Sequence, residues 1–123
     1  MDLNRLSTWL KDFAAELVNI DGVLFLDRQG LGVAALRAQI AAYPNVHEAQ
    51  AWMNIILVDD FFDEAVGPDW SMDDPALADI FAVYKRAWLN QAAVNHPGIA
   101  LRIESIKDPK YGDVGLKLVQ DKV

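Results

Sequence analysis

The apolar residues of this chain change period once, and the change separates a helical part from a stranded tail. From Leu3 to Trp88 they recur mostly at three- and four-residue intervals; Ile99, Leu101 and Ile103, then Val114, Leu116 and Leu118, recur at every second position. Side chains repeat every ~3.6 residues around a helix and every ~2 along a strand, so a chain carrying both in succession is expected to build an α+β fold. Asp108-Pro109-Lys110-Tyr111-Gly112-Asp113 separates the two alternating runs as a turn, and the tail is predicted to be a C-terminal antiparallel β-hairpin. A lone hairpin is marginal, so it must lie on the helices or pair with the one early strand, Val23-Leu24-Phe25-Leu26.

About four helices are expected ahead of it. Leu3, Leu6, Leu10, Phe13 and Leu17 form the stripe of the first, which Asp2 caps and Asn19-Ile20-Asp21-Gly22 stops. Val33, Leu36, Ile40 and Tyr43 mark the second, ended by Pro44. Over residues 46 to 65, Ala49, Trp52, Met53, Ile56 and Phe61 favour a third helix, although Ile55-Ile56-Leu57-Val58 alone would suit a buried strand. Asp73 or Asp74 caps the fourth, with Pro75 at its first position and Leu77, Ile80, Phe81, Tyr84 and Trp88 on its face. Trp9, Trp52 and Trp88 are expected in the core. With no linker or repeat, residues 1 to 123 read as one domain, long enough for a single core.

Charge is distributed unevenly. Between Arg37 and Lys85 there is no lysine or arginine but nine acids: Glu48, Asp59, Asp60, Asp63, Glu64, Asp69, Asp73, Asp74 and Asp79. The formal charge of −7 therefore divides into −9 for this stretch and +2 for the rest. A field of one sign attracts cationic partners and repels nucleic acid. Cysteine is absent, which removes disulfides and thiolate chemistry. No signal peptide is visible and no apolar run approaches the ~20 residues of a membrane span, so a cytoplasmic protein without a membrane partner is expected.

Asp59-Asp60-Phe61-Phe62-Asp63-Glu64 concentrates four carboxylates. On a helix Asp59/Asp63 and Asp60/Glu64 are like-charged i,i+4 pairs, which repel by a few tenths (~0.2–0.5) of a kcal/mol each, so compensation is required. The stretch from Trp52 to Glu64 resembles the aspartate-rich helix of class I terpene synthases, whose DDxxD/E motif holds magnesium against a diphosphate. That resemblance implies Asp59, Asp60 and Asp63 as metal-facing acids with Phe61 and Phe62 as packing residues. It ends at Glu64: the second metal motif of that family and bases for a diphosphate are missing. Asn54-Ile55-Ile56-Leu57-Val58-Asp59-Asp60 looks like the first strand and acidic pair of receiver domains, but the 63 residues after Asp60 are too few for the rest of that fold. Gly30-Leu31-Gly32-Val33-Ala34-Ala35 matches GxGxxA, yet the strand does not lead directly into it, so a helix-entry turn is expected.

His47 and His96 have no ligand spacing, and Ser7, Ser71 and Ser105 lie in no nucleophile elbow, so neither catalytic residues nor a cofactor site is identified. The expected function is a small acidic protein-binding module, most concretely an immunity or inhibitor protein that binds a basic protein. The expected contacts are Asp59, Asp60, Asp63, Glu64, Asp69, Trp70, Asp73 and Asp74. Trp70 is read either as a cap on the core or as an interface anchor. The alternatives are a small magnesium-dependent enzyme or metal-binding protein using Asp59, Asp60 and Asp63, and a structural subunit that oligomerises through its hairpin edge.

Overall fold

A computed structural model describes residues 2–120, which form five helices and five strands. In chain order these are α1 (Leu3–Phe13), β1 (Glu16–Ile20), β2 (Val23–Asp27), α2 (Val33–Ile40), α3 (Val46–Met53), β3 (Ile55–Leu57), α4 (Asp59–Val66), α5 (Pro75–Asn95), β4 (Leu101–Asp108) and β5 (Asp113–Gln120). The fold is α+β, with β1 and β2 in one antiparallel sheet and β3, β5 and β4, in that order, in another. The tail forms the expected hairpin, from Leu101↔Gln120 to Asp108↔Asp113. Among the described residues no helix is long and apolar enough to cross a membrane.

The first helix is shorter than its stripe suggests. Asp2 caps α1 by accepting from the Arg5 amide at 2.8 Å, but the helix ends at Phe13 and Leu17 lies in β1. Asp21 and Gly22 explain the change: both take positive φ (53° and 88°), as the two central residues of a type I′ turn require, and the Asn19 side chain accepts from the Gly22 amide. That turn brings Ile20 against Val23 and zips the pairing back to Glu16 and Asp27. Leu3 and Leu10 of the stripe are exposed instead of buried; the side chain of Phe13 lies outside the described set.

Side chains reach backbone groups on both outward edges of this hairpin. On β1, the Leu17 amide donates to Gln91 Oε1 (2.6 Å) and the Leu17 carbonyl meets His96 Nε2 (3.0 Å), while the Ala15 carbonyl just before the strand accepts from Gln91 Nε2 (3.4 Å). On β2, the Leu24 amide donates to Gln120 Oε1 (3.1 Å) and the Leu26 amide to Asn54 Oδ1 (3.0 Å). The Leu24 carbonyl accepts from Gln50 Nε2 (3.0 Å) and Asn54 Nδ2 (2.8 Å). His96 is thus half-buried against β1.

Asn54 also divides the segment expected to be one helix. Its backbone carbonyl accepts from Leu118 N of β5 at 3.2 Å, α3 stops one residue before it, and β3 then pairs with β5 from Ile55↔Lys117 to Leu57↔Gly115. The third strand beside the C-terminal hairpin is therefore residues 55 to 57, not the early strand. All five residues of β2 are buried, and it separates two apolar clusters. Leu24 and Leu26 pack with Ile56, Phe81, Trp88 and Leu116; Val23 and Phe25 pack with Ile20, Leu36 and Ala49.

Gly115 is the tight point between β3 and β5: a Cβ there would lie 2.1 Å from the Ile56 carbonyl oxygen. Accommodating it means breaking the strand pairing, so Gly115→Ala is expected to lower stability by about 3 kcal/mol or more. Lys107→Ala on exposed β4 should cost less than about 0.5 kcal/mol. Urea unfolding of the two variants measures the difference.

Candidate functional site

The acidic stretch folds into α4, the loop that follows it and the first turns of α5, with Glu48 apart on α3. The repulsion anticipated within Asp59-Asp60-Phe61-Phe62-Asp63-Glu64 is relieved locally. Asp59 and Asp60 occupy the first turn of α4, where the helix dipole favours negative charge. Asp59 Oδ1 accepts from the Val114 amide at 3.3 Å, Asp63 Oδ1 accepts from Trp70 Nε1 at 2.5 Å, and Glu64 pairs with Arg5 at 2.6 Å. Asp74 caps α5 by accepting from the Ala76 amide, with Pro75 in the first turn as the sequence implies.

Four of the seven carboxylates proposed for recognition thus have partners within the protein. Asp60, Asp69 and Asp73 are exposed, and their carboxylates carry no hydrogen bond or ion pair among the described residues. The terpene-synthase-like arrangement is not assembled: Asp59 and Asp63 engage different protein donors, and among the described residues no three Asp, Glu or His side chains converge on a point where a metal could sit.

Trp70 combines both of its expected characters. Its ring packs edge-on against Phe62 at 5.3 Å and lies against the main core cluster, yet it stays partly exposed beside Asp69. Phe62 is buried, and Phe61 continues the aromatic run to Trp9 at 5.0 Å. This run ties α1, α4 and the loop together, so the three free carboxylates are displayed on an anchored segment.

Trp52, expected in the core, lies at the surface instead. It is 63% exposed, since α3 buries Ala49 and Gln50 and Trp52 projects about a third of a turn away from them. The break at Asn54 removes the longer helix face to which Trp52 would have belonged. Beside it lies an open cleft of about 660 Å³, reached by Lys11, Asp12, Arg28 and Ile55. Within that cleft Asp12 holds Arg28 at 2.6 and 3.0 Å, so the guanidinium charge is already neutralised. Burial and, to a lesser degree, the Asp12 charge push the nearby Tyr84 phenol above its ordinary range. The GxGxxA stretch is a helix-entry turn, as expected: the Asp27 carboxylate accepts from the Leu31 and Gly32 amides (2.9 and 2.8 Å), occupying donors that a phosphate would use.

No known family model matches the chain, and neither does any curated protein or solved structure.

Trp70 and Trp88 separate by burial, because Trp88 is 1% exposed at the centre of the core. Trp88→Ala should cost about 3–5 kcal/mol. Trp70→Ala, which removes an edge-on aromatic pair and a partly buried ring, should cost about 2 kcal/mol. Urea denaturation gives both values; equal losses would make Trp70 a core residue with no spare surface for recognition.

Proposed function

We propose that this protein is a small acidic binding module, of the immunity or inhibitor type, that engages a basic protein through α4, the following loop and the start of α5. The observation that carries this reading is the set of three exposed carboxylates, Asp60, Asp69 and Asp73, unpaired among the described residues, on a segment fixed from behind by the Trp70–Asp63 and Arg5–Glu64 contacts. No lysine or arginine lies between residues 38 and 84 to offset them in sequence. Carboxylates that are already presented lose little conformational freedom on binding, which lowers the ordering cost of association. The partly exposed Trp70 ring among them supplies the apolar contact at which interface energy tends to concentrate. Asp59, Asp63, Glu64 and Asp74 contribute to the field while holding the segment in shape, so replacing them would mix binding with folding effects.

The reading is tested with the basic protein recovered by pull-down from the source cell. Its association rate should fall as salt rises, because the Debye length shortens from about 30 Å at 0.01 M to about 10 Å at 0.1 M. Asp60→Lys, Asp69→Lys and Asp73→Lys together should slow association by about tenfold or more while leaving the melting temperature nearly unchanged. A salt-insensitive rate, or a rate unaffected by the triple reversal, contradicts the reading.

A further inference from the structure

The 21-residue helix α5 packs one side on the core through Leu77, Phe81, Trp88 and Ala92 and leaves another open. On the open side Ala76, Asp79, Ala82, Val83, Arg86 and Leu89 are all exposed. Their order reads the same in both directions in spacing and opposite in charge: Ala76 and Leu89, Asp79 and Arg86, and Ala82 and Val83 are each placed symmetrically about the bond between Ala82 and Val83. Neither Asp79 nor Arg86 has an ion-pair partner among the described residues. A surface that is its own complement under a two-fold rotation is what an isologous dimer contact requires.

From this symmetry we infer that the outer face of α5 is a docking surface for a second copy of the chain, with the two helices antiparallel. The two-fold axis passes between Ala82 and Val83, whose small side chains admit helix axes about 8–10 Å apart. Asp79 of each copy then lies opposite Arg86 of the other, giving two identical ion pairs, and Leu89 of each covers Ala76 of the other. Charge favours this face over the acidic face. Two copies at −7 repel, whereas Asp79 and Arg86 leave the contact itself neutral. Val83 and Leu89, exposed at 50% and 40%, would lose water on association. A contact of one helix per copy is smaller than the standard interface of about 800 Å² per partner, so association in the range of about 10 µM is expected.

Sedimentation equilibrium of the whole chain from about 1 to 200 µM reads the association directly. Wild type should dimerise, and Asp79→Arg or Arg86→Asp alone, each placing like charges opposite one another, should weaken the dimer about tenfold or more. The double variant D79R/R86D restores opposite charges and should recover the wild-type dissociation constant. Unchanged circular dichroism melting curves confirm that these exposed substitutions leave the fold intact. A monomeric wild type, a dimer indifferent to either single reversal, or a double variant that stays weak would each overturn the assignment.

Discussion

The β1–β2 hairpin buries all of β2 and the inward residues Leu17 and Ile20 of β1, and much of the structure is arranged to supply partners to backbone groups on its outward edges. A buried amide or carbonyl left without a partner costs about 1–3 kcal/mol, so a buried two-stranded sheet needs donors and acceptors on either side. Here they are side-chain amides and one imidazole rather than further strands: Gln91 and His96 on β1, and Asn54, Gln50 and Gln120 on β2. Of these, Asn54 is fully buried. Its side chain serves two groups of β2 while its own carbonyl serves β5, so one residue joins the two sheets.

The placement of the acidic face follows from that junction. Because α3 must end where Asn54 turns its amide toward β2, residues 55 to 57 are free to extend as β3 along β5, and α4 begins directly afterwards. The Val58 amide donating to the Val114 carbonyl at 2.7 Å and the Asp59 carboxylate accepting from the Val114 amide fix the start of α4 on the sheet. At the far end of α5, Gln91 and the C-cap residue His96 hold the helix against β1. The acids divide accordingly into those that maintain this geometry and Asp60, Asp69 and Asp73, which point to solvent.

Strong local signals were legible in the sequence and pairings made at a distance were not. The terminal hairpin, the Asp74-Pro75 helix start and the α5 core residues Leu77, Phe81 and Trp88 follow from period and turn chemistry alone. The hairpin at residues 16 to 27 has a local signal too, Asp21-Gly22 between two apolar runs, but Leu17 also completes the 3-4 spacing of α1, so the two patterns compete for it. Asn54 offered no comparable signal, because a polar residue in an apolar segment reads equally as a surface position of a helix. Its meaning depends on Leu24 and Leu26, some thirty residues earlier. The acidic site was visible as composition, whereas the division between structural and free carboxylates depended on partners such as Arg5, Trp70 and Val114, which only folding brings near.

Native-state hydrogen exchange at the Leu24 and Leu26 amides tests the role of the side-chain amides most directly. Both face away from the β1–β2 pairing, so on a bare sheet edge they would exchange with the rapid local opening of an exposed strand. If Asn54 and Gln120 close that edge, both amides should be protected nearly as well as the Phe25 amide within the hairpin, and Asn54→Ala should selectively release Leu26. Rapid exchange of Leu24 and Leu26 in the wild-type protein, with Phe25 protected, would show that the side-chain amides do not close the edge and that the two sheets are joined by apolar packing alone.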